Sequence, residues 1–410
     1  MSTDVTLDPA AATPAPDPTP SRPGGQRGTW ALSWHGVRTV AVLDLRQRVR
    51  STRWIVALAV WFVVVGAITW LTWVAANRAF GLSPTVSSAA VSGTAELQSD
   101  PVVAAAASAG PTIFGLIVFF VLFLGLLVSP TLSATSINGD RAAGTLATLQ
   151  VTLLTPAEIA VGKLLAAWTA ALAFLGTSVP FLVLALFAGG TPVLSVVVCL
   201  LVLAILLAVV CAIGLGFSAL IARPSGSAVL TYLSVASLTV LSPIVFGLTF
   251  PAISSNDQVR VWSVPADFNW EAGVAPTCEW TTETQQQWHT ERTWWLLAIN
   301  PFVIVADAAP EARGDAATYS FDPLGGIRMA VREARTGPSG EVDYCSGNYP
   351  GVDGWEASPL SPVAERQPDR SVVWPWGLAA NLLLGGAGLA IAVRRLTIPQ
   401  RTLPRGTRVA

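Results

Sequence analysis

Residues 193–221 read VLSVVVCLLVLAILLAVVCAIGLGFSALI, a run without a single charged side chain. A helix needs roughly 20 mostly apolar residues to cross the hydrocarbon core of a bilayer, so this run is long enough to span a membrane. Its length also allows the helix to tilt or to extend beyond the bilayer. The stretch therefore places the chain among integral membrane proteins.

Five further runs share this character, and none of the six contains Asp, Glu, Lys, Arg or His. Over the whole chain 52% of residues are hydrophobic and only 12% are charged, whereas soluble domains carry about 25% charged residues. We predict an all-α integral membrane protein with six transmembrane helices. The other five spans are predicted at residues 54–76, 112–134, 164–188, 228–250 and 374–393.

The distribution of charge predicts how these spans are oriented, because cytoplasmic segments of membrane proteins carry an excess of Lys and Arg. With the N-terminus inside, the inner segments hold 15 basic and six acidic residues, whereas the outer segments hold nine basic and 19 acidic residues. The two sets almost cancel in the formal net charge of −1. We predict a multi-pass protein of the cytoplasmic membrane with both termini in the cytoplasm.

The segments around the spans differ in composition. Residues 1–33 begin with a stretch rich in Pro and Ala that has no apolar core, which predicts a disordered cytoplasmic tail rather than a signal peptide. Residues 37–53 mix apolar side chains with five arginines, which predicts an interfacial helix among the lipid headgroups; a plain juxtamembrane cluster of positive charge is the alternative. We assign residues 34–250 to this helix and spans one to five, and residues 374–410 to span six and a basic tail.

Residues 251–373 form a large exterior segment between spans five and six that is acidic and rich in tryptophan. Within it, Trp294 and Trp295 begin an apolar run, residues 294–309, which is too short to span a bilayer and is interrupted by Pro301. A run of this length suits a re-entrant or interface-lying segment. The alternative is a buried helix of an exterior domain.

The four cysteines fall into two pairs with different surroundings. Cys199 and Cys211 lie inside the fourth span, where a thiol behaves as a small apolar group. Cys278 and Cys345 lie in the exterior segment, where the compartment is oxidising enough to sustain disulfides. We predict a Cys278–Cys345 disulfide, worth about 4 kcal/mol in the chain-entropy model. Two separate buried thiols are the alternative.

The loop between spans two and three, residues 135–163, carries the strongest local signals of the chain. Asn138 and Gly139 tolerate the left-handed conformation found at helix ends, so we expect them to end span two. Asp140 is then expected to cap the next helix, because its carboxylate can accept hydrogen bonds from backbone N–H groups.

Leu146, Leu149 and Leu153 recur at three- and four-residue spacing in that next helix, which predicts a narrow apolar stripe. A short amphipathic helix would therefore lie beneath the membrane, joined to two spanning helices. A push on it from a cytoplasmic partner would reach both spans. The alternative is an ordinary structured cytoplasmic loop.

The third span has a clear start signal in Thr155-Pro156-Ala157-Glu158. The threonine suits the cap position, Pro156 suits the first helical position, and Glu158 follows three residues after the cap, as in a capping box. Lys163, the only lysine of the chain, then lies about two turns into the helix, at the depth of the lipid headgroups.

This loop resembles the signature region of ABC-2-type transporter permeases, the transmembrane subunits of ATP-binding-cassette exporters. The family pattern has Glu followed by Arg or Lys, then Gly-Thr, a Leu-rich step, a Thr-Pro turn and Gly-Lys entering the third span. Asp140 stands where Glu is usual, which keeps the charge. Asn300-Pro301-Phe302 also resembles a motif that many of these permeases carry before their last span. The residues that fit the signature are Arg141, Gly144, Thr145, Leu149, Leu153, Leu154, Pro156, Gly162 and Lys163.

The resemblance implies a dimeric pore formed with a second permease protomer, identical or paralogous. It implies two ABC ATPase subunits docked beneath the membrane, in contact with the short helix near residues 139–153. It also implies outward movement of the substrate when ATP closes the ATPase pair. The coupling residues are then Asp140, Arg141, Gly144, Thr145, Leu146, Leu149, Leu153, Pro156, Glu158 and Lys163.

The chain has no phosphate-binding loop of its own. Such a loop ends in Gly-Lys-Ser or Gly-Lys-Thr, and here the only lysine is followed by Leu164. We therefore expect ATP and Mg²⁺ on the partner ATPase, and no cofactor, metal ion or nucleic acid on this chain. Enzyme activity is not expected either, because His35 and His289, the only histidines, are predicted on opposite sides of the membrane and no hydrolase motif is present.

Two other functions are compatible with six spans. A secondary transporter driven by protons or sodium usually carries ionisable residues within its spans, and the predicted spans have none, although sodium can also bind to backbone carbonyls. A membrane-anchored receptor or assembly protein would act through the exterior segment. The uncharged spans suit lipid-like, drug-like or peptide cargo better than small ions, and the sequence does not identify the substrate.

Overall fold

The computed structural model describes residues 28–79, 101–145, 154–187, 191–265, 268–269, 278–310, 323–345 and 371–397. Within these residues, six helices are long and apolar enough to cross a membrane, and each overlaps one predicted span. The prediction of an all-α membrane domain with six spans is therefore confirmed. The helices are Thr52–Ala75, Gly110–Ala142, Pro156–Phe187, Val193–Leu220, Pro224–Leu248 and Trp374–Leu396.

The described residues before position 221 are mainly helical. Helix α1 (Trp34–Val49) begins after Ser33, whose side-chain oxygen accepts a hydrogen bond from the Gly36 N–H. Helix α1 occupies the segment predicted to lie in the membrane interface, and its depth relative to lipid stays a prediction. The first four spans are α2 (Thr52–Ala79), α3 (Pro101–Ser133) with the short α4 (Asn138–Ala142), α5 (Pro156–Phe187) and α6 (Val193–Leu220).

The fifth span contains one wide turn. Helix α7 (Pro224–Ala236) continues into a π-helical turn at Ser237–Leu241 and then into α8 (Ser242–Leu248). Single π-helical turns inside α-helices occur frequently at functional sites. The Thr239 carbonyl in this turn accepts a hydrogen bond from the Asn300 side chain at 2.9 Å. The fifth span is thereby connected to the exterior segment.

The exterior segment contains a small sheet that the sequence analysis does not predict. After α9 (Phe250–Ile253), strand β1 (Ser254–Ser263) pairs antiparallel with β2 (Glu279–Trp288) and parallel with β3 (Glu341–Asp343). Strand β2 reads EWTTETQQQW and has no regular alternation of apolar and polar residues. It therefore lacks the period of two that identifies a half-buried strand.

A disulfide joins Cys278 to Cys345, whose Cα atoms are 6.5 Å apart. Cys278 immediately precedes β2, and Cys345 lies two residues after β3. Because β2 and β3 flank β1, the disulfide connects the two edges of the sheet. Cys199 and Cys211 are buried free thiols in α6.

Helices follow the sheet and lead into the last span. The run at residues 294–309 forms two short helices, α10 (Trp295–Ala298) and α11 (Pro301–Ala308), which are separated at Asn300. Next come α12 (Pro323–Thr336) and the sixth span, α13 (Trp374–Leu396). Helix α11 packs against α6, α12 and α13, so this half of the run is covered by protein, whereas Trp295 in α10 is exposed. Whether it also enters the bilayer stays a prediction.

Helix α6 lies at the centre of the bundle, in contact with α3, α5, α7 and α13. Its side chains Leu203 and Leu206 are almost completely buried. A Cβ atom on Gly216 would lie 2.7 Å from the Gly388 Cα, so α6 and α13 touch through their backbones. Small residues permit this close approach of membrane helices. The first and fifth spans, in contrast, are the least buried of the six.

Candidate functional site

The candidate coupling residues lie at one end of the bundle, which we call the motif end; it comprises α1, α4 and the start of α5. The sheet lies at the opposite end. Leu146, Leu149 and Leu153 fall outside the described residues, so the predicted apolar stripe stays a prediction. The described coupling residues divide into a buried set and an exposed set.

The start of α5 has the reciprocal hydrogen bonds of a capping box, as the sequence predicts. The Glu158 N–H donates to Thr155 Oγ1 at 3.2 Å, and the Thr155 N–H donates to Glu158 Oε2 at 2.9 Å. Pro156 is the first residue of the helix. The local sequence is therefore sufficient to fix where the third span begins.

The Glu158 carboxylate also caps α1, a role that the sequence analysis does not foresee. Its Oε1 atom accepts a hydrogen bond from the Ser33 N–H at 2.8 Å, and the residue is only 1% exposed. The Thr155 hydroxyl donates to the Ala31 carbonyl at 2.6 Å and strengthens the same contact. An anion is stabilised where helix N-termini meet, because the N-terminal end of each helix dipole is positive.

Two glycines allow α1 to pack closely across α5. A Cβ atom on Gly36 would lie 2.8 Å from the Glu158 carboxylate carbon. A Cβ atom on Gly162 would lie 2.7 Å from the Val40 Cβ. Gly162 belongs to the Gly-Lys pair of the signature pattern, so this close helix contact gives one physical reason for a glycine at that position.

Asp140 and Lys163 form an ion pair that connects α4 to α5. Lys163 is 3% exposed, and its ammonium group donates a hydrogen bond to Asp140 Oδ2. Asp140, near the start of the loop at residues 135–163, and Lys163, at its end, therefore hold the two ends of the loop together. Both residues are coupling candidates from the sequence, but no local pattern indicates that they pair.

The expectation that Asp140 caps the helix after span two is wrong, because Asp140 lies inside α4. The N–H groups of Ile137 and Asn138 donate instead to Ser218 Oγ on α6, at 3.0 and 3.2 Å. A side chain from a distant helix thus satisfies donors at the start of α4. Asn138 and Gly139, which are expected to end span two, are both helical and belong to α4. Gly144 instead adopts the left-handed conformation, with φ +72°.

The exposed set is short and contiguous. Residues 142–145 are exposed, and Arg141 is partly exposed. Gly144 turns the chain after α4, and nothing lies within 4 Å of a Cβ atom built on it. In the described part of the chain, Arg141, Gly144 and Thr145 are thus the coupling residues most accessible to a partner, with Asp140 and Pro156 partly exposed. Glu158 and Lys163 are buried and can act only by holding the helices in place.

Asn300 and Asp307 organise the opposite end of the bundle. The Asn300 side chain caps α11 by accepting from the Phe302 N–H at 2.9 Å, and the Phe302 ring stacks on Phe119 of α3 at 4.5 Å. Asp307, which the sequence analysis misses, accepts from the Trp374 N–H at 2.8 Å and the Val373 N–H at 2.6 Å. It therefore caps the sixth span; its position as an acid in an apolar run is the signal that identifies it.

His289 forms a polar cluster beside the sheet. Its Nδ1 atom is 2.7 Å from Glu291 Oε1, and its Nε2 atom is 2.9 Å from Asp257 Oδ2 and 2.8 Å from Ser255 Oγ. Hydrogen bonds to Glu291 and then to Asp257 raise the pKa of His289 above its usual value. Because a carboxylate faces each ring nitrogen, the protonated ring is favoured. A protonated ring cannot accept the serine proton, so the cluster is suited to joining β1 to the turn after β2 rather than to nucleophilic catalysis.

Comparison with family models gave a match to the family described as "ABC-2 family transporter protein" over residues 38–307. The matched range begins within α1, includes the loop at residues 135–163, and ends at Asp307 in α11. Comparison with curated proteins gave no match.

Proposed function

Because this chain belongs to the ABC-2 family of transporter proteins, we propose that it is the permease subunit of an exporter driven by ATP hydrolysis on a separate subunit. Membership of the family makes the chain a membrane transport component that is not itself catalytic. It also implies association with an ABC ATPase subunit and with the membrane. Outward transport, the ATPase contact and the membrane orientation belong to the proposal.

The observation that carries the proposal is the mechanical continuity of the motif end. A push on residues 141–145 acts on α4, which is joined to α5 by the Asp140–Lys163 ion pair and to α6 by Ser218. Helix α5 is joined in turn to α1 by the Glu158 carboxylate. One short exposed segment is therefore connected to two spanning helices and to the helix that precedes the first span.

Charge supports a cytoplasmic location for the motif end. Arg46, Arg48, Arg50 and Arg53 surround the junction of α1 and α2, and Arg394 and Arg395 lie in the last turn of α13. An excess of basic residues near the ends of spans favours the cytoplasmic side. An ATPase that uses cytoplasmic ATP and Mg²⁺ would then meet residues 141–145.

Two ATPase subunits and a second permease protomer complete the proposed assembly. The fifth span is among the least buried of the six, so its apolar face is available to the second protomer. An ion-coupled transporter is less well supported, because Asp140, Lys163 and Glu158 are bonded to one another or to backbone N–H groups.

The proposal is tested by site-specific crosslinking in native membranes. A photoreactive residue at Ala142, which is exposed on α4, should capture an ATPase that contains a phosphate-binding loop. The matched control is Gln286, which is exposed on β2 at the other end of the molecule and should capture none. Outward transport is then measured as the ATP-dependent uptake of candidate lipid-like, drug-like or peptide substrates into inverted membrane vesicles. Failure to capture an ATPase from Ala142, with intact protein recovered, would contradict the proposal.

A further inference from the structure

A cavity of about 690 Å³ opens between α2, α3 and α5. Its polar lining lies toward the motif end, where Arg48, Ser51 and Arg53 mark the junction of α1 and α2. Deeper in the bundle, its walls are apolar and include Trp61 and Leu124. The cavity thus changes from cationic to apolar along the direction of the spans, as a lipid changes from headgroup to acyl chain.

Arg48 is the residue of this lining whose guanidinium has an unsatisfied hydrogen-bond donor. Its Nη2 atom donates to Asp44 Oδ2 at 3.1 Å, one turn earlier in α1. Its Nη1 atom is buried and has no hydrogen-bond acceptor in the described part of the chain. A buried donor without an acceptor costs about 1–3 kcal/mol, and more when the group is charged. An anion in the cavity would supply the missing acceptor.

The walls restrict the class of anion. A small water-soluble anion would leave the apolar part of the cavity unfilled, whereas a neutral hydrocarbon would leave Arg48 Nη1 unpaired. The cavity is also open to the side, because Ala57 and Val60 of its lining are exposed on the outer surface of α2. A ligand can therefore enter from the bilayer without passing through the protein.

We propose that this cavity binds an anionic membrane lipid, with the headgroup phosphate on Arg48 and one acyl chain between α2 and α3. Basic pockets between membrane helices bind anionic headgroups in this way. The proposal is independent of the transport function, since no step of ATP-driven export requires it. Helix α1 would then contact the lipid phosphate through Arg48, in addition to packing against α5.

The test uses the purified full-length protein and two photoreactive lipids with identical acyl chains, phosphatidylglycerol and phosphatidylcholine. Phosphatidylglycerol should label peptides of α2 and α3 more strongly, and Arg48→Gln should reduce this labelling by roughly tenfold, as expected for loss of one charge-assisted hydrogen bond. Arg46→Gln is the matched control, because Arg46 is exposed on the same helix and does not line the cavity. Its labelling should equal that of the unmodified protein.

Two further variants probe the ion pair and the lateral opening of the cavity separately. Asp44→Asn removes the ion pair but keeps the guanidinium and should retain the labelling. Ala57→Phe should fill the opening and abolish labelling without lowering the unfolding temperature, because Ala57 is outside the packed core. Equal labelling by both lipids, with or without Arg48, would overturn the proposal. Formation of a disulfide between two copies carrying Ala57→Cys, with no lipid labelling, would overturn it in favour of a second protomer.

Discussion

Glu158 accepts a hydrogen bond at 2.8 Å from the backbone N–H of Ser33, 125 positions earlier in the chain. The same carboxylate caps α5 through the Thr155 N–H. Two helices, one before the first span and one forming the third span, therefore begin at one buried carboxyl group. This side chain therefore helps to fix the position of α1 on the bundle, together with the close packing of Val40 against Gly162.

Replacing Glu158 with Lys should release α1 from α5 while leaving membrane insertion intact. The change removes the acceptor of two backbone donors and adds a buried positive charge, so we expect a loss of several kcal/mol in local stability. Faster proteolysis between residues 28 and 33 would report the release, and export would be uncoupled from ATP hydrolysis. Glu158→Gln keeps one acceptor oxygen and should show an intermediate effect. Unchanged proteolysis and export in Glu158→Lys would contradict this role.

The Asp140–Lys163 pair should respond asymmetrically to removal of either partner. The Lys163 side chain is 4% exposed, whereas that of Asp140 is 31% exposed. Asp140→Asn leaves a buried cation without its partner and should cost about 3 kcal/mol, whereas Lys163→Met leaves a carboxylate that water can reach and should cost about 1 kcal/mol. Thermal unfolding of the two single variants and the double variant measures the difference. The double variant should resemble Lys163→Met, and additive losses would show that the pair is not coupled.

Substitution of Gly144 by Val should strain the turn after α4. Gly144 has φ +72°, and a left-handed conformation costs a β-branched residue about 1–2 kcal/mol. We expect ATP hydrolysis in the assembled transporter to continue while export falls. Gly139→Ala is the matched control, because Gly139 is helical and a Cβ atom there meets nothing within 4 Å. Equal effects of the two changes would show that the turn conformation is not the cause.

The sheet should be more stable at acid than at alkaline pH. Hydrogen bonds to Glu291 and Asp257 raise the pKa of His289 above its usual value of 6.5, so its contribution is complete below that value and is lost as pH rises through the folded-state pKa. Hydrogen exchange of β1 amides should therefore accelerate between pH 6 and pH 8.5 by more than the intrinsic chemical rate. His289→Gln should remove this excess, whereas His35→Gln, an exposed position on α1, should preserve it. An excess that persists in His289→Gln would exclude the histidine as its source.

Breaking the Cys278–Cys345 disulfide should loosen the sheet without affecting the spans. The two cysteines are 67 residues apart, so the chain-entropy model gives a contribution of about 4 kcal/mol. Cys278→Ser and Cys345→Ser should each abolish the mobility difference between reduced and non-reduced gels. Cys199→Ser, in the interior of α6, is the control that should keep the difference. A difference that survives in either exterior variant would point to another pairing.

The features predicted correctly from the sequence are those with local causes. Uninterrupted apolar runs identify the six spans, and the spacing of Thr155, Pro156 and Glu158 identifies the start of the third. Each signal lies within the element that it specifies. The Cys278–Cys345 disulfide could also be predicted, because Cys199 and Cys211 lie inside a span and leave these two cysteines as the pair in the exterior segment.

The features that the sequence analysis misses depend on distant partners. Asp140 looks like a helix cap, but it lies inside α4, and the N–H groups at the start of α4 donate to Ser218 of α6. The contact of Ser33 with Glu158 and the capping of Trp374 by Asp307 likewise join residues far apart in the chain. The sheet is missed because β2 has no regular alternation, so only its pairing with β1 makes it a strand.

Capping of the sixth span by Asp307 has a consequence for biosynthesis. Asp307 leaves the ribosome before Val373 and Trp374, so the acceptor for the first N–H groups of α13 already exists when that helix is made. At the motif end the order is reversed, because α1 is synthesised long before Glu158, the acceptor that holds it. During synthesis, α1 therefore lacks its acceptor Glu158 until the third span has been made. For α13, in contrast, the acceptor Asp307 is present before the helix is synthesised.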